Sequence, residues 1–315
     1  MKYIVLFFLS ITTLWAQDTT TTKRYQYKVW IKPSLSINYL AVDIEDSPIN
    51  INLKNKTILP NYPLTMGLGL GVHNTYVNLD YARGLMPLRN ENKYGKTSYF
   101  DFQIHSFISN KFLLDLYYQS YKGFYYENGQ NIHLLKDARV QQIGSEFLYF
   151  TKWRETSLKN IFNPEGNQLK PLFSFYVGGG VFYHKLSLPL IDLDRTDDFK
   201  HIQTGLSGGV ANLWQIAPNL TFSGLVGLGF YFGGETAPIS KMKINQYVNF
   251  RYNIALTYKI KNSTIDFSIL HNNKRVYFNN SDLVSIKNST FRISFTQQLN
   301  VTTRHNNKVM RFLGM

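Results

Sequence analysis

The stretch VNFRYNIALTYKI, residues 248–260, alternates between apolar and polar side chains. Every even-numbered residue is aliphatic or aromatic, whereas the odd-numbered residues include Asn249, Arg251 and Lys259. A period of two residues is typical of a β-strand with one apolar and one polar face. The stretch therefore predicts a long amphipathic strand.

The same alternation recurs along the chain. It is present in LTMGLGLGV (64–72), FDFQIH (100–105), TIDFSI (264–269) and FRISFT (291–296). No segment of comparable length has the spacing of a helix, so we predict an all-β fold. The predicted strands are 34–43, 63–73, 75–83, 97–108, 111–121, 139–150, 171–184, 200–215, 219–232, 246–260, 264–277 and 290–300. Counting Tyr25–Ile31 and Ile49–Leu53 as further strands would raise twelve to fourteen.

The connections between these strands alternate in length. Tight turns are predicted at His73-Asn74, Ser109-Asn110, Pro218-Asn219 and Asn262-Ser263, where the residue types favour turns. Long connections are predicted at 83–96, 122–138, 185–199, 233–245 and 278–289. Strands of about ten residues with short periplasmic turns and long external loops are typical of outer-membrane barrels. We predict a transmembrane antiparallel up-and-down β-barrel with both termini periplasmic, although the long connection 151–170 falls on the tight-turn side.

Alternation does not determine which face of a barrel points outward. A soluble lipocalin-like barrel would turn its apolar face inward, and a membrane barrel would turn it toward lipid. The polar face carries both charge signs, which suits a hydrated or ion-paired lumen. The residues predicted to face this lumen are Asp101, Asp115, Glu146, Arg251, Lys259, Asp266 and Arg292. Aromatic residues near strand ends, from Tyr117 to Tyr126, are consistent with an interfacial girdle.

Composition and the termini indicate the compartment. The 315 residues include no cysteine, and no apolar run reaches the roughly 18 residues of a membrane helix. Residues 1–16 resemble a secretory signal peptide. We divide the remainder into a polar leader (17–33), an outer-membrane barrel (34–300) and a C-terminal tail (301–315). The expected location is the outer membrane of a Gram-negative cell.

The glycine clusters and the acidic segment of the sequence each have a structural interpretation beside a chemical one. The glycine clusters near Gly69, Gly179 and Gly227 are not followed by a helix, so they suggest barrel packing rather than phosphate binding. Four carboxylates between 192 and 198, flanked by His184 and His201, could hold a cation, but a solvated loop is the simpler interpretation. We expect no cofactor, no metal site and no enzyme activity, with a Ser–His barrel hydrolase as the alternative.

The formal net charge is +14, from 34 Lys+Arg and 20 Asp+Glu. Basic residues such as Lys96, Lys274 and Arg275 are predicted in loops and at strand ends, where they would neutralise lipopolysaccharide phosphates. We expect outer-membrane lipid, lipopolysaccharide and the outer-membrane assembly machinery as partners, and no nucleic acid. The sequence does not specify a ligand.

Residues 61–72 (NYPLTMGLGLGV) open a longer resemblance, which continues through 76–84, 94–101, 111–118 and 121–123. Over about residues 34–126 the chain resembles a family of outer-membrane barrel proteins from the Bacteroides–Flavobacterium group, described as a domain of unknown function. The resemblance implies an outer-membrane barrel and carries no activity or functional residues. Two functions remain open beside the hydrolase: passive passage of a small solute, and a structural or ligand-binding barrel without a pore.

Overall fold

A computed structural model describes residues 25–45, 53–72, 75–83, 87–109, 111–152, 170–190, 195–235, 245–278 and 282–303. Nearly all of them lie in antiparallel strands. The strands are β1 (Tyr25–Ile44), β2 (Lys56–Leu59), β3 (Leu64–Val72), β4 (Thr75–Arg83), β5 (Ser98–Ser109), β6 (Phe112–Asn128), β7 (Asn131–Phe150), β8 (Leu172–Leu190), β9 (Arg195–Ala217), β10 (Leu220–Glu235), β11 (Asn245–Ile260), β12 (Ser263–Phe278) and β13 (Asp282–Thr303). A single helical turn, α1 (Glu91–Tyr94), lies between β4 and β5.

Twelve of these strands form a closed ring. β1 pairs with β3 on one side and with β13 on the other, from Tyr25↔Thr303 to Ile44↔Val284. The predicted barrel and its even strand count are therefore confirmed. We call the end with the short β3–β4, β9–β10 and β11–β12 connections the turn end, and the opposite end the hairpin end. β1 begins and β13 finishes at the turn end, which the usual topology of such barrels assigns to the periplasm.

The barrel begins earlier and ends later than predicted. β1 includes Tyr25–Ile31, so these residues are neither leader nor an additional strand. The predicted strand began only after Pro33, a residue that has no N–H to donate to a neighbouring strand. In the structure, Lys32 and Pro33 have no paired residue on β13, but β1 continues through them. β13 also extends to Thr303, into the predicted tail. Residues 1–24 and 304–315, with the predicted signal peptide, lie outside the described residues.

Two of the predicted long loops are extended hairpins. The β6–β7 ladder continues to Asn128↔Asn131, and the β8–β9 ladder continues to Leu190↔Arg195. Alternation disappears from the sequence after Lys122 because Gly123, with φ of 89°, forms a bulge that shifts the inward and outward positions. The predicted strand at Ile49–Leu53 falls largely outside the described residues, and β2 lies just beyond it.

The apolar face of the barrel points outward. Outward-facing apolar side chains around the ring are 37% to 72% exposed. They include Ile37, Leu68, Leu79, Phe147, Val177, Leu206, Phe230, Phe250, Phe267 and Ile293. A soluble protein rarely exposes so continuous an apolar belt, whereas a membrane barrel presents one to lipid. The membrane interpretation is therefore favoured over the lipocalin-like one. None of the described helical residues forms a helix long and apolar enough to cross a membrane.

A cap closes the hairpin end above the short strands β3 to β5. β2 bridges β1 and β6 there, through Val42↔Ile58 and Ile58↔Tyr126. The Arg89 guanidinium lies between tyrosine rings, 4.9 Å from the centroid of Tyr94 and 5.3 Å from that of Tyr62, and it donates a 2.7 Å hydrogen bond to the hydroxyl of Tyr125. These contacts tie the β2 and α1 segments to the barrel rim.

Candidate functional site

The lumen is sealed toward the hairpin end by a cluster that we call the apolar seal. Leu40 of β1 and Ile286 of β13 belong to the same buried cluster as Val140 of β7 and Leu186 of β8. β13 and β7 lie six positions apart in the twelve-strand ring, so the cluster contains side chains from opposite walls. Each of the four side chains is at most 2% exposed. At this level the barrel contains a packed core.

An ion pair crosses the lumen below the apolar seal. Arg251 of β11 donates a hydrogen bond to a carboxylate oxygen of Glu146 of β7, and the other oxygen accepts a 2.8 Å bond from Ser207. Arg251 also lies over the ring of Tyr176, 5.8 Å from its centroid. The wall leaves room for that ring because a Cβ at Gly227 would overlap the tyrosine hydroxyl. Two residues predicted only to share a polar face thus bind each other.

A second buried pair lies nearer β1. Arg292 donates to a carboxylate oxygen of Asp80, a lumen residue that the prediction missed although the alternation in β4 places it on the polar face. Asp101 accepts hydrogen bonds from the hydroxyl of Tyr99 at 2.7 Å and from the amide of Gln119 at 3.1 Å. The Arg292–Asp80 pair links β13 with the non-adjacent strand β4, whereas the bonds to Asp101 stay within β5 and its neighbour β6.

The other predicted lumen residues are distributed along the inner wall. Asp115 lies 2.8 Å from the imidazole Nδ1 of His105. Asp266 accepts a 2.7 Å bond from Thr257 and lies 3.7 Å from the ammonium nitrogen of Lys32. Lys259 points inward near the turn end, one residue before the end of β11. Six of the seven residues therefore lie in separate hydrogen-bonded or ion-paired groups along the inner wall, and not in one site.

Lys274 was predicted at an exposed strand end, and the structure corrects this. Its side chain is 3% exposed and points into the lumen. The ammonium nitrogen donates to the hydroxyl of Tyr117 and lies 3.7 Å from the ring centroid of Phe182. A buried ammonium can be held over aromatic faces in this way. Only the strand ladder reveals the position, since β12 extends past Lys274 with its alternation intact.

The two histidines near the acidic segment point away from it. His184 and His201 are buried on the inner wall with ring centroids 6.1 Å apart, and His184 Nε2 lies 2.7 Å from the amide nitrogen of Gln203. Asp198 instead points outward and binds Lys185 at 2.7 Å. The described residues contain no cluster of three or more His, Cys, Asp or Glu that could hold a metal ion. Asp192 and Asp194 lie outside them.

A cavity lined by polar and apolar side chains lies between the apolar seal and the turn end, and its two lobes share part of their lining. The outer lobe, of about 120 Å³, is lined by Trp30, Tyr76, Asn78, Asn253 and Ser268 among others. It reaches to within three residues of the β9–β10 turn, at Ser223. The inner lobe, of about 100 Å³, includes Gln142, Asn272 and Asn288. Gln103, His105, Leu225, Asn253 and Leu270 line both lobes.

Comparison with known families places the chain in one of them. The family described as "Domain of unknown function (DUF4421)" matches residues 16–297. The chain belongs to this family. The family match extends well beyond residues 34–126, over which the resemblance was recognised. No curated protein matches the chain.

Comparison with solved structures finds outer-membrane barrels at low sequence identity. The translocator domain of the autotransporter NalP from Neisseria meningitidis aligns with a TM-score of 0.48 and 9% identity, covering 95% of each chain. An outer membrane channel from Pseudomonas putida F1 aligns at 0.39 and 4%, covering 90% of this chain and all of the other. The closed ring and outward apolar belt thus describe an outer-membrane β-barrel, and the protein is one.

Proposed function

We propose that this member of the family is a closed barrel that binds a small solute in its lumen from the turn end. The observation that carries the proposal is the apolar seal above a polar cavity. A fully packed apolar layer excludes water and ions, because a polar group entering it would lose its hydrogen bonds. The cavity below it combines polar side chains with apolar ones and is therefore suited to binding.

Single cysteines test the direction of access, because the native chain contains none. Ser268→Cys places a thiol in the outer lobe, and Gln130→Cys places one at the exposed tip of the β6–β7 hairpin. Each variant is reconstituted into liposomes and treated outside with a sulfonated maleimide. The fraction labelled at position 130 measures how many hairpin ends face outward. We expect the fraction labelled at position 268 to be its complement.

Three outcomes would contradict this proposal. In liposomes where one orientation predominates, equal labelling of the two variants would place the entrance at the hairpin end. Labelling of Ser268→Cys in every molecule would indicate a passage open to both sides, and no labelling would indicate an enclosed cavity. Planar bilayer recordings provide an independent measurement: we expect no steady conductance from the wild-type barrel. A sustained open channel would instead support passive solute passage.

A second candidate, an interfacial hydrolase, rests on one contact. His271 Nδ1 lies 2.7 Å from Ser289 Oγ on the outward face, and the imidazole stacks on Tyr252 with centroids 5.1 Å apart. A serine hydroxyl hydrogen-bonded to an oriented imidazole is the core of a nucleophilic dyad. A fluorophosphonate probe should then label the wild type and Ser285→Ala, but neither Ser289→Ala nor His271→Ala. An unlabelled wild-type protein would eliminate this candidate.

We also propose which envelope components surround and assemble the barrel. The apolar belt suits outer-membrane lipid, and exposed cations beyond it, such as Lys287 and Arg275, suit lipopolysaccharide phosphates. A barrel of this kind would be inserted by the outer-membrane assembly machinery. The resemblance over residues 34–126 also supports a source in the Bacteroides–Flavobacterium group.

A further inference from the structure

The chemical class of the solute follows from how the outer lobe is charged. Its lining includes four ionisable side chains, Lys32, His105, Asp266 and Arg292. Each is already engaged inside the protein: Lys32 lies near Asp266, His105 bonds Asp115, and Arg292 bonds a buried carboxylate of β4. An ionic solute would have to break one of these pairs or remain unpaired in a partly desolvated space. The lobe is therefore suited to an uncharged molecule.

In contrast to the ionisable groups, several neutral polar side chains of the outer lobe are available for hydrogen bonds with a solute. No side-chain hydrogen bond joins Asn78, Asn253 or Ser268 to another of the described residues. Two amides and a hydroxyl can thus both donate to and accept from a molecule in the cavity. Glycines of β3 make this possible, because a Cβ at Gly69 would lie 2.6 Å from the amide oxygen of Asn78.

One wall of the outer lobe is aromatic. The rings of Trp30 and Tyr76 meet with centroids 5.7 Å apart at an interplanar angle of 49°. Aromatic rings supply a broad apolar surface with little conformational freedom to lose. An aromatic wall that faces amides and hydroxyls complements a ring compound with C–H groups on its face and hydroxyl groups on its edge.

The size of the outer lobe is consistent with one such ring. A cavity needs roughly 10–15 Å³ of volume to hold one water molecule. The 120 Å³ of the outer lobe therefore correspond to on the order of ten waters. A monosaccharide contains a similar number of non-hydrogen atoms. We infer that the outer lobe binds an uncharged, polyhydroxylated ring of monosaccharide size. This inference rests on the proposed function, since it assumes a lumen that solutes can enter from the turn end.

Three sugars of equal ring size test the inference: D-glucose, D-glucuronate and D-glucosamine, which are neutral, anionic and cationic. Of the four tryptophans, Trp153 and Trp214 are changed to Phe, and Trp15 lies in the predicted signal segment. The fluorescence of Trp30 in the folded barrel then reports binding to the outer lobe. We expect saturable binding of glucose, at least about tenfold tighter than that of either charged sugar.

Variants link the signal to the site. Asn78→Ala and Asn253→Ala should each weaken glucose binding by roughly three- to tenfold, as expected for loss of one or two hydrogen bonds. Asn300→Ala, an exposed position at the turn end, is the matched control and should not change it. If all three sugars bind equally, or a charged sugar binds best, the charge argument is wrong.

Failure of the inference can be distinguished from failure of the proposed function. If none of the sugars changes the Trp30 signal while Ser268→Cys is labelled only from the turn end, the solute class is wrong and the closed binding barrel stands. If the labelling pattern fails as well, the proposed function itself is wrong. Glucose binding that survives in the Asn78→Ala/Asn253→Ala double variant would locate it elsewhere and overturn the inference.

Discussion

The cross-lumen pair Glu146–Arg251 offers the sharpest test of the packed lumen. Arg251→Met removes the guanidinium and leaves Glu146, 6% exposed, with Ser207 as its one remaining hydrogen-bond partner among the residues that the structure describes. Breaking one side of a buried ion pair costs about 3–5 kcal/mol because the other charge remains uncompensated. Since Arg251 is 23% exposed to the cavity, we expect the lower end, about 3 kcal/mol.

A double-mutant cycle separates this effect from simple loss of packing. Glu146→Gln/Arg251→Met should recover at least half of the loss in the free energy of unfolding, because neither partner of the ion pair then remains charged without the other. Stability is measured by urea unfolding in lipid vesicles, followed as the gel-mobility difference between folded and unfolded barrel. Lys259→Met, on the same face of β11 near the turn end, is the control and should cost less than about 1 kcal/mol.

Two results would refute the reasoning. In a lumen filled with water, solvent would screen the Glu146 carboxylate. A loss below about 1 kcal/mol in Arg251→Met would indicate such a lumen. A double variant whose loss equals the sum of the two single losses would show that the groups do not interact. Either outcome would remove the pair as a structural crossbar.

Three further predictions concern the wall, the cap and the hairpins. Gly227→Ala should destabilise the barrel by about 1–3 kcal/mol through overpacking against a tyrosine, whereas Gly208→Ala, whose Cβ would meet only ordinary contacts, should change urea stability little. Arg89→Ala should release the cap and speed its cleavage by added protease without unfolding the barrel. The hydrogen bond from Lys185 lowers the pKa of Asp198. The stabilisation that the ionised Asp198 provides is therefore fully present above the ordinary pKa of 3.8, and it is lost as the pH falls through the lower pKa of the folded state. Because the side chain is exposed, Asp198→Asn should reduce the free energy of unfolding at pH 7 by less than about 1 kcal/mol.

The strand count could be read from the sequence because alternation is local. A strand at 248–260 needs only its own residues to display two faces, and the same holds for the other eleven ring strands. Strand ends were harder to place, since a single bulge at Gly123 reverses the pattern and conceals the extended hairpin beyond it. Pro33 lies inside β1 and removes a backbone donor there without changing the register of the strand.

The lumen depended on tertiary structure. Alternation placed Glu146 and Arg251 on polar faces, but only the closed ring brings together two residues 105 positions apart. The apolar seal likewise joins side chains from opposite walls, and the burial of Lys274 depends on the aromatic rings contributed by β6 and β8. Hydrophobic periodicity specified twelve amphipathic strands, because it is a property of each strand alone. Which face met lipid, and what filled the interior, were decided by tertiary structure because they depend on ring closure and contacts across the barrel.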